Sequence, residues 1–353
     1  MKLKFWLGIG ISLICLYLVF RNIEVGKVFE TMRSVNYFYL VAAIILQLST
    51  IWLRAERWKY LLAPIKQLTF THLLPATMIG FMANNVLPAR AGEFVRAYVI
   101  GKKEHISSTA SFATIIIERV CDMITMLAFL FLIIFAVNFP AQTALHTQNS
   151  LISLQRLQFA GVLSAIFIFC LLVFLILLKE FPAKTTAVIT LLLRPFPPKF
   201  SHKILEIIAS FRMGLQVLQT GTHLFFLIFW SIAVWLTAML SAWATLQAFD
   251  LDLPFIAAIF MTVITAFSAA IPSSPGYVGP FHAAVSASVL FFLPDLGKSH
   301  AAGIAIIFHL VCVLPITLFG VYYLWRENMS FSEIQHIDDQ ETPGDVPVEP
   351  TGV

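Results

Sequence analysis

The sequence predicts an all-α polytopic membrane protein, with six full spans, two interrupted or re-entrant helical segments and an inverted repeat relating its halves. Two observations carry this. Of 353 residues, 59% are hydrophobic and only 12% charged, whereas a soluble domain carries about 25% charge to face water. The apolar runs also recur along nearly the whole chain, several reaching the roughly 20 residues that span about 30 Å of hydrocarbon as a helix. The alternating segments of about ten residues that mark an outer-membrane barrel are absent from the sequence.

The runs at 5–20, 36–53, 108–137, 157–178, 223–249 and 300–325 read as full spans. Lys2 and Lys4 before the first mimic a signal peptide, but no A-x-A-like site follows and the run ends at Arg21, so it is read as a retained span. Two further regions, 70–100 and 254–293, are apolar but broken. The first breaks at Asn84, Asn85, Pro88, Arg90, Gly92 and Glu93; the second at Pro272, Ser273, Ser274, Pro275, Gly276 and Gly279. Pro removes a backbone donor and Gly loosens a helix. Backbone freed at membrane depth is tolerated only inside protein or beside a wet cavity, so the breaks are candidate functional sites.

Lys and Arg accumulate on the cytoplasmic side of a membrane. With the N-terminus inside and each broken region entering and leaving on one side, the inside segments hold 17 of them and the outside segments 5. Both termini are therefore expected in the cytoplasm of a bacterial-type inner membrane. In the long inside loop, 202–218 places Ile204, Ile208, Phe211 and Leu215 on one helical stripe. It is either an amphipathic helix on the membrane surface or one packed under the bundle. Residues 327–353 hold seven acids and no Lys or Arg, which predicts a disordered cytoplasmic tail beyond a membrane domain of 1–326.

Span three contains Glu118, Arg119 and Asp122. Glu118 and Asp122 share a face at i,i+4, and Arg119 reaches Asp122 at i+3. From Ser107, Glu118 lies about 17 Å along the helix, where a charge costs roughly 2.5 kcal/mol or more. Such charges either lock helices together or line a polar site. Arg90, Glu93 and Arg96 approach one another if Gly92 begins a half-helix, whose N-terminal N–H groups could seat a phosphate; alternatively the arginines snorkel to the cytoplasmic surface. His282 follows the second break and His309 lies in the last span; a lone histidine in a membrane helix is more often a packing residue than a proton relay.

The four cysteines lie in apolar runs with no metal spacing. No P-loop, H-E-x-x-H or G-x-S-x-G occurs, and a net charge of +4 is too small to argue for nucleic acid. No cofactor and no metal are expected.

Four motifs together resemble one family: Arg54-Ala55-Glu56-Arg57-Trp58, Leu87 through Arg96, Glu118-Arg119-Val120-Cys121-Asp122, and Pro272 through Gly279. In order, over 1–326, they look like the flippase-like membrane domain of lysylphosphatidylglycerol synthetases and its stand-alone relatives. The resemblance implies a role in moving or handling phospholipids or polyprenyl-linked lipids across the bilayer, and the function expected is a translocator rather than an enzyme. Its headgroup phosphate would bind at the breaks, with Arg90, Arg96 and Arg119 as anion partners and Glu93, Glu118 and Asp122 as balancing acids. The soluble aminoacyl-transfer domain of full-length synthetases has no counterpart here. Many relatives carry Glu shortly after the Pro-Gly-x-x-Gly motif, where this chain has His282. The alternatives are an accessory protein for a lipid- or glycan-modifying enzyme and, more weakly, an intramembrane transferase. The expected partners are membrane lipids with anionic or phosphate-bearing headgroups, and either a second copy of the chain or a membrane enzyme.

The halves, about 1–140 and 157–326, each read span, span, broken segment, span. Three crossings per half oppose their orientations, and aligning Pro88 with Pro272 also matches Gly92 with Gly276. Paired breaks point to a binding site where repeats meet, so the breaks are expected to approach each other, with Arg119 bordering the space between.

Overall fold

The computed structural model describes residues 2–21, 23–87, 91–136, 154–198, 201, 204–205, 208, 221–269, 271 and 274–335. Among them the fold is all helix, without strands. The helices are α1 (Lys2–Phe20), α2 (Val25–Arg33), α3 (Tyr37–Leu62), α4 (Phe70–Val86), α5 (Gly92–Glu104), α6 (Ser108–Ala136), α7 (Leu154–Glu180), α8 (Pro182–Leu193), α9 (Gly221–Gln247), α10 (Phe255–Ser268), α11 (Pro280–Phe292), α12 (Lys298–Arg326) and α13 (Phe331–Gln335). Pro88, Arg90, Pro272, Ser273 and most of the expected amphipathic helix at 202–218 lie outside the described residues.

By length and composition, α3, α9 and α12 can each cross a membrane, and α1 with α2 forms a fourth candidate bent by 87°. The helix α6 has 29 residues, but Glu118, Arg119 and Asp122 interrupt its apolar run. Large side chains point outward along these helices, Phe38 and Trp325 each 77% exposed. That inversion suits lipid contact, and Tyr37 and Trp325 near helix ends fit the interfacial belts where amphipathic rings settle.

Both broken regions form two helices around a break, α4 with α5 and α10 with α11. Three segments differ from expectation. The second span does not stop at 53; α3 continues to Leu62, because Arg54-Ala55-Glu56-Arg57-Trp58 contains no helix breaker and packs its apolar atoms inward. The outer connection contains α2, whose Val28 and Thr31 are buried against α12 at Gly303. The expected tail begins with structure: Met329 lies in a partly buried position, and Ile334 of α13 is 1% exposed within the core around Trp58, Leu62 and Ile100.

Lipid is as apolar as Leu, so helices in a bilayer associate through close packing and polar contacts rather than hydrophobic expulsion. The longest pairing here is α3 with α9, pinned where Ser241 donates to the Ala43 carbonyl at 2.8 Å. Helices α4 and α5 meet through Gly80 and Gly92, where a Cβ on Gly92 would run into the Gly80 carbonyl and the Asn84 side chain. Gly320 likewise lets α12 lie directly on Met78 and Met82 of α4.

Candidate functional site

Six charged side chains from three helices converge inside the bundle. Asp122 accepts from Arg57 Nη1 at 2.7 Å and from Arg54 Nη1 at 3.0 Å. Trp235 Nε1, on α9, adds a third donor to it at 3.1 Å. Glu118 takes Arg96 Nη1 across both oxygens, at 3.1 and 3.0 Å, and Arg57 Nη2 approaches it at 3.2 Å. Arg119 closes the group through Glu118 at 2.6 Å and Asp122 at 3.3 Å. The expected i,i+3 contact on α6 is thus present, with Glu118 and Asp122 each shared among several arginines.

The local packing explains this convergence. The close Gly80–Gly92 approach presses α5 against α4, where the Cβ and Cγ of Arg96 lie next to Gly80. Its guanidinium then lies over the Trp58 ring, 3.8 Å from the centroid. Trp58 is itself held by Thr114 on α6 at 2.8 Å. Arg54 stands between the Phe81 and Trp235 rings, at 5.3 and 5.1 Å. Cations over aromatic faces are stabilised where water is scarce.

Charge and hydrogen bonding are both unbalanced. Four guanidinium groups contact two carboxylates, with Glu93 acting on Arg119 through space. Arg57 and Arg96 are 0% and 2% exposed, yet Nε and Nη2 of each lack a hydrogen-bond partner, as does Nε of Arg119. The 3.2 Å approach of Arg57 Nη2 to Glu118 is therefore an ion contact without hydrogen-bond alignment. An orphaned buried donor costs about 1–3 kcal/mol, more when charged. Only Arg119 reaches outward, with 38% of its side chain exposed. The arrangement is a cation-rich cluster with unused donors and one accessible arginine, a chemistry suited to an additional oxyanion.

The site residues expected from sequence fall into two groups. Arg96, Glu118, Arg119 and Asp122 enter the ionic cluster. Arg96 turns to Glu118 rather than pairing with Glu93, which sits partly exposed in the first turn of α5. Asn84 caps that turn by accepting Gly92 N–H at 2.9 Å, so the first amide of the half-helix is occupied by protein. Asn85 donates to Thr317 of α12 at 3.0 Å. The second group stands apart from the charges. Pro275, Gly276 and Tyr277 form a 3₁₀ turn, and Ser274 N–H donates to Ser12 of α1 at 2.8 Å. Gly279 precedes α11, and His282 is buried beside it. The breaks do come close: a Cβ on Gly276 would lie 3.3 Å from the Asn85 carbonyl.

Arg54, Arg57, Ser231 and Trp235 are absent from the expected set. The two arginines read as cytoplasmic anchors because they follow an apolar run. The available signal was their i,i+3 spacing on a helix that nothing terminates, which puts both on one face.

A bundle of largely apolar helices, lipid-facing outside and ionic inside, is a multi-pass integral membrane protein. The chain belongs to the family described as the lysylphosphatidylglycerol synthase TM region, which matches residues 5–320. It is 24% identical over 321 residues to a UPF0104 membrane protein of Methanocaldococcus jannaschii, covering 88% of this chain and 91% of that one. It is also 24% identical over 350 residues to a UPF0104 membrane protein of Methanothermobacter thermautotrophicus, covering 94% and 98%. A shorter likeness, 29% over 119 residues, joins 33% of this chain to 19% of a Haloferax volcanii protein named glycosyltransferase AglD. No solved structure matches the chain.

Proposed function

We propose that this chain is a translocator of phospholipid or polyprenyl-linked lipid, and that the headgroup phosphate is drawn to the arginine cluster beside the first break. The observation that carries this reading is the excess of four buried or half-buried arginines over the two acids they contact and Glu93 nearby, with unpartnered N–H groups on three of the arginines. A purely structural ion network gains little from surplus cations, since each carries a desolvation penalty that the aromatic faces beside Arg54 and Arg96 offset only in part. A phosphate supplies that charge together with several acceptor oxygens.

The pairing of helices supports the inverted repeat. Helix α4 packs on α12 as α10 packs on α6; α5 lies on α6 as α11 lies on α12; and α3 and α9, the second spans of the halves, pack on each other. On this reading the chain makes six crossings with two interrupted segments, in halves of about 1–140 and 157–326. Cytoplasmic termini in a bacterial-type inner membrane follow from the charge asymmetry, although the relatives described above are archaeal. Cysteines replacing Lys184 and Asp250, each exposed, are expected to label from opposite sides of the membrane in a cysteine-free background; same-side labelling would overturn this topology.

Reconstitution tests the function. Liposomes holding the purified chain should expose a fluorescent phospholipid to external quencher faster than empty liposomes, and Arg119→Ala should abolish the difference while thermal stability in detergent is kept. Rates equal to those of empty liposomes with phospholipid and polyprenyl phosphate alike would sink the translocator. They would favour the second reading, an accessory to a lipid- or glycan-modifying enzyme, which the likeness to a protein named glycosyltransferase supports.

A further inference from the structure

The second break is held at each end by a histidine, and the two are not solitary packing residues. His309 on α12 bonds through Nε2 to the Gly276 carbonyl at 2.7 Å. His282, in the first turn of α11, accepts Gly279 N–H at Nδ1 across 3.4 Å. A carbonyl only accepts, so His309 carries its proton on Nε2; an amide N–H only donates, so Nδ1 of His282 is bare. Their ring centroids are 4.7 Å apart. Between the two attachments Gly276, Tyr277 and Gly279 take φ values of 69°, 59° and 100°. Tyr277 holds a left-handed conformation that costs a side-chain-bearing residue about 1–2 kcal/mol, so the turn stays folded because its ends are fixed.

The surroundings favour the neutral rings. Helices α1, α4, α10, α11 and α12, which meet the turn or pack on α11, contain no Asp or Glu; the 3₁₀ turn Pro294–Leu296, which packs on α11, holds Asp295 beyond the opposite end of that helix from His282. From α12 comes His309, with Cys312 one turn further on; from α1 come Ser12 and Cys15, which lie against Gly279; from α4 comes the Asn85 carbonyl. Helix α10 contributes no titratable residue, and His282 is the only one on α11. The charged residues of these helices, Lys2, Lys4, Lys298 and Arg326, sit at their ends, as do His72 and His300. A proton on Nδ1 of His282 would break the Gly279 bond, face a second imidazole and oppose the positive end of the α11 dipole.

We propose that the Gly276–Gly279 turn is a proton-responsive hinge, in which protonation of His282 at Nδ1 releases Gly279 N–H and the start of α11. The step is a single proton transfer from hydronium in solution to the Nδ1 lone pair, leaving water behind, and it frees the Gly279 N–H to donate to a phosphate oxygen. Linkage makes the relation reciprocal: an anion beside the turn, or any motion that opens it, draws the proton in. The coupling role rests on the translocator reading, and it makes a proton the companion of an anionic headgroup at the break without charges.

Hydrogen–deuterium exchange of 274–285 in the detergent-solubilised full chain tests this between about pH 8 and pH 5, where histidine changes charge. Rates are corrected for intrinsic exchange and referenced to 92–104. Opening in the unmodified protein should increase on acidification by up to about tenfold per pH unit, the limit for uptake of one proton. His282→Asn, which keeps an acceptor near Nδ1 but does not titrate, should abolish the increase, and His282→Gln serves if that variant does not fold. A flat profile in the unmodified protein, or an equal rise in the variant, overturns the hinge. Phospholipid flipping at the same pH values separates the two ideas. Acid opening in a protein that moves no lipid defeats the translocator and leaves the hinge standing, whereas flipping with a pH-indifferent turn defeats the hinge alone.

Discussion

Between α4 and α5 the chain breaks beside six charged side chains, whereas between α10 and α11 it breaks among helices that hold no acid at all. The first break is shaped by closeness: Gly92 has ordinary helical geometry and is needed because Gly80 and Asn84 leave no room for a Cβ. The second is shaped mainly by conformation: Gly276 has a positive φ, and a Cβ there would press on the Asn85 carbonyl at 3.3 Å, far less severely than one on Gly92. The comparison teaches that similar sequence interruptions serve different physical ends. One brings an arginine to an ionic cluster, and the other holds strained backbone in place with neutral hydrogen bonds.

Substitutions can break this contrast, beginning with the largest expected effect. Arg57→Ala removes a fully buried partner of both carboxylates and should cost about 3–5 kcal/mol, the usual penalty for breaking a buried pair. It should be read as loss of folded protein by size exclusion in detergent. A melting temperature close to that of the unmodified chain would mean that the cluster is wetter than its burial implies.

Gly92→Ala should destabilise by about 3 kcal/mol, the upper part of the overpacking range, because its Cβ meets backbone that cannot swing away. Gly276→Ala should cost about 1–2 kcal/mol, chiefly for the left-handed conformation, and Gly276→Asn less. Thermal unfolding of the three variants side by side checks the order. If Gly276→Ala proves worse than Gly92→Ala, the division into a steric and a conformational glycine is wrong.

Arg119→Ala should leave stability within about 1 kcal/mol, as expected for a partly exposed ion pair, while abolishing phospholipid movement. Activity that falls only in step with unfolding would return the cluster to a structural role.

The smallest effect is expected where α13 meets α5. Glu333 accepts from Lys102 at 2.5 Å and from Tyr98 at 3.1 Å. The hydrogen bond from Lys102 holds the Glu333 carboxyl below its usual range, and the same bond raises the Lys102 ammonium. A depressed carboxyl adds stability that is complete above the unfolded glutamate value of about 4.3 and disappears as pH falls through the lower folded value. A raised lysine adds stability that is complete below its unfolded value of about 10.4 and is lost as pH rises through the higher folded one. Glu333→Gln should therefore cost about 0.5 kcal/mol near neutrality, reduced further by salt because Lys102 is largely exposed. The difference from the unmodified chain should vanish in acid; a loss that persists at about pH 3 would assign it to packing around Ile334.

The sequence by itself determined the class of protein, the two breaks and the charges of α6. These depend on composition, Pro and Gly, and the cost of charge in hydrocarbon, all of which act locally along the chain. The family resemblance through Arg54, Gly92, Glu118 and Gly276 was legible for the same reason. Tertiary structure alone decided that Arg54 and Arg57 belong to the site. A run of residues shows that a helix can continue, but whether its arginines reach water or the Asp122 carboxylate depends on α6 and α9 arriving beside it. It likewise decided that His282 and His309, 27 positions apart in the chain, form a pair. Helix packing in lipid is set by close fit and mutual hydrogen bonding, and those partners are chosen across the fold rather than along the sequence.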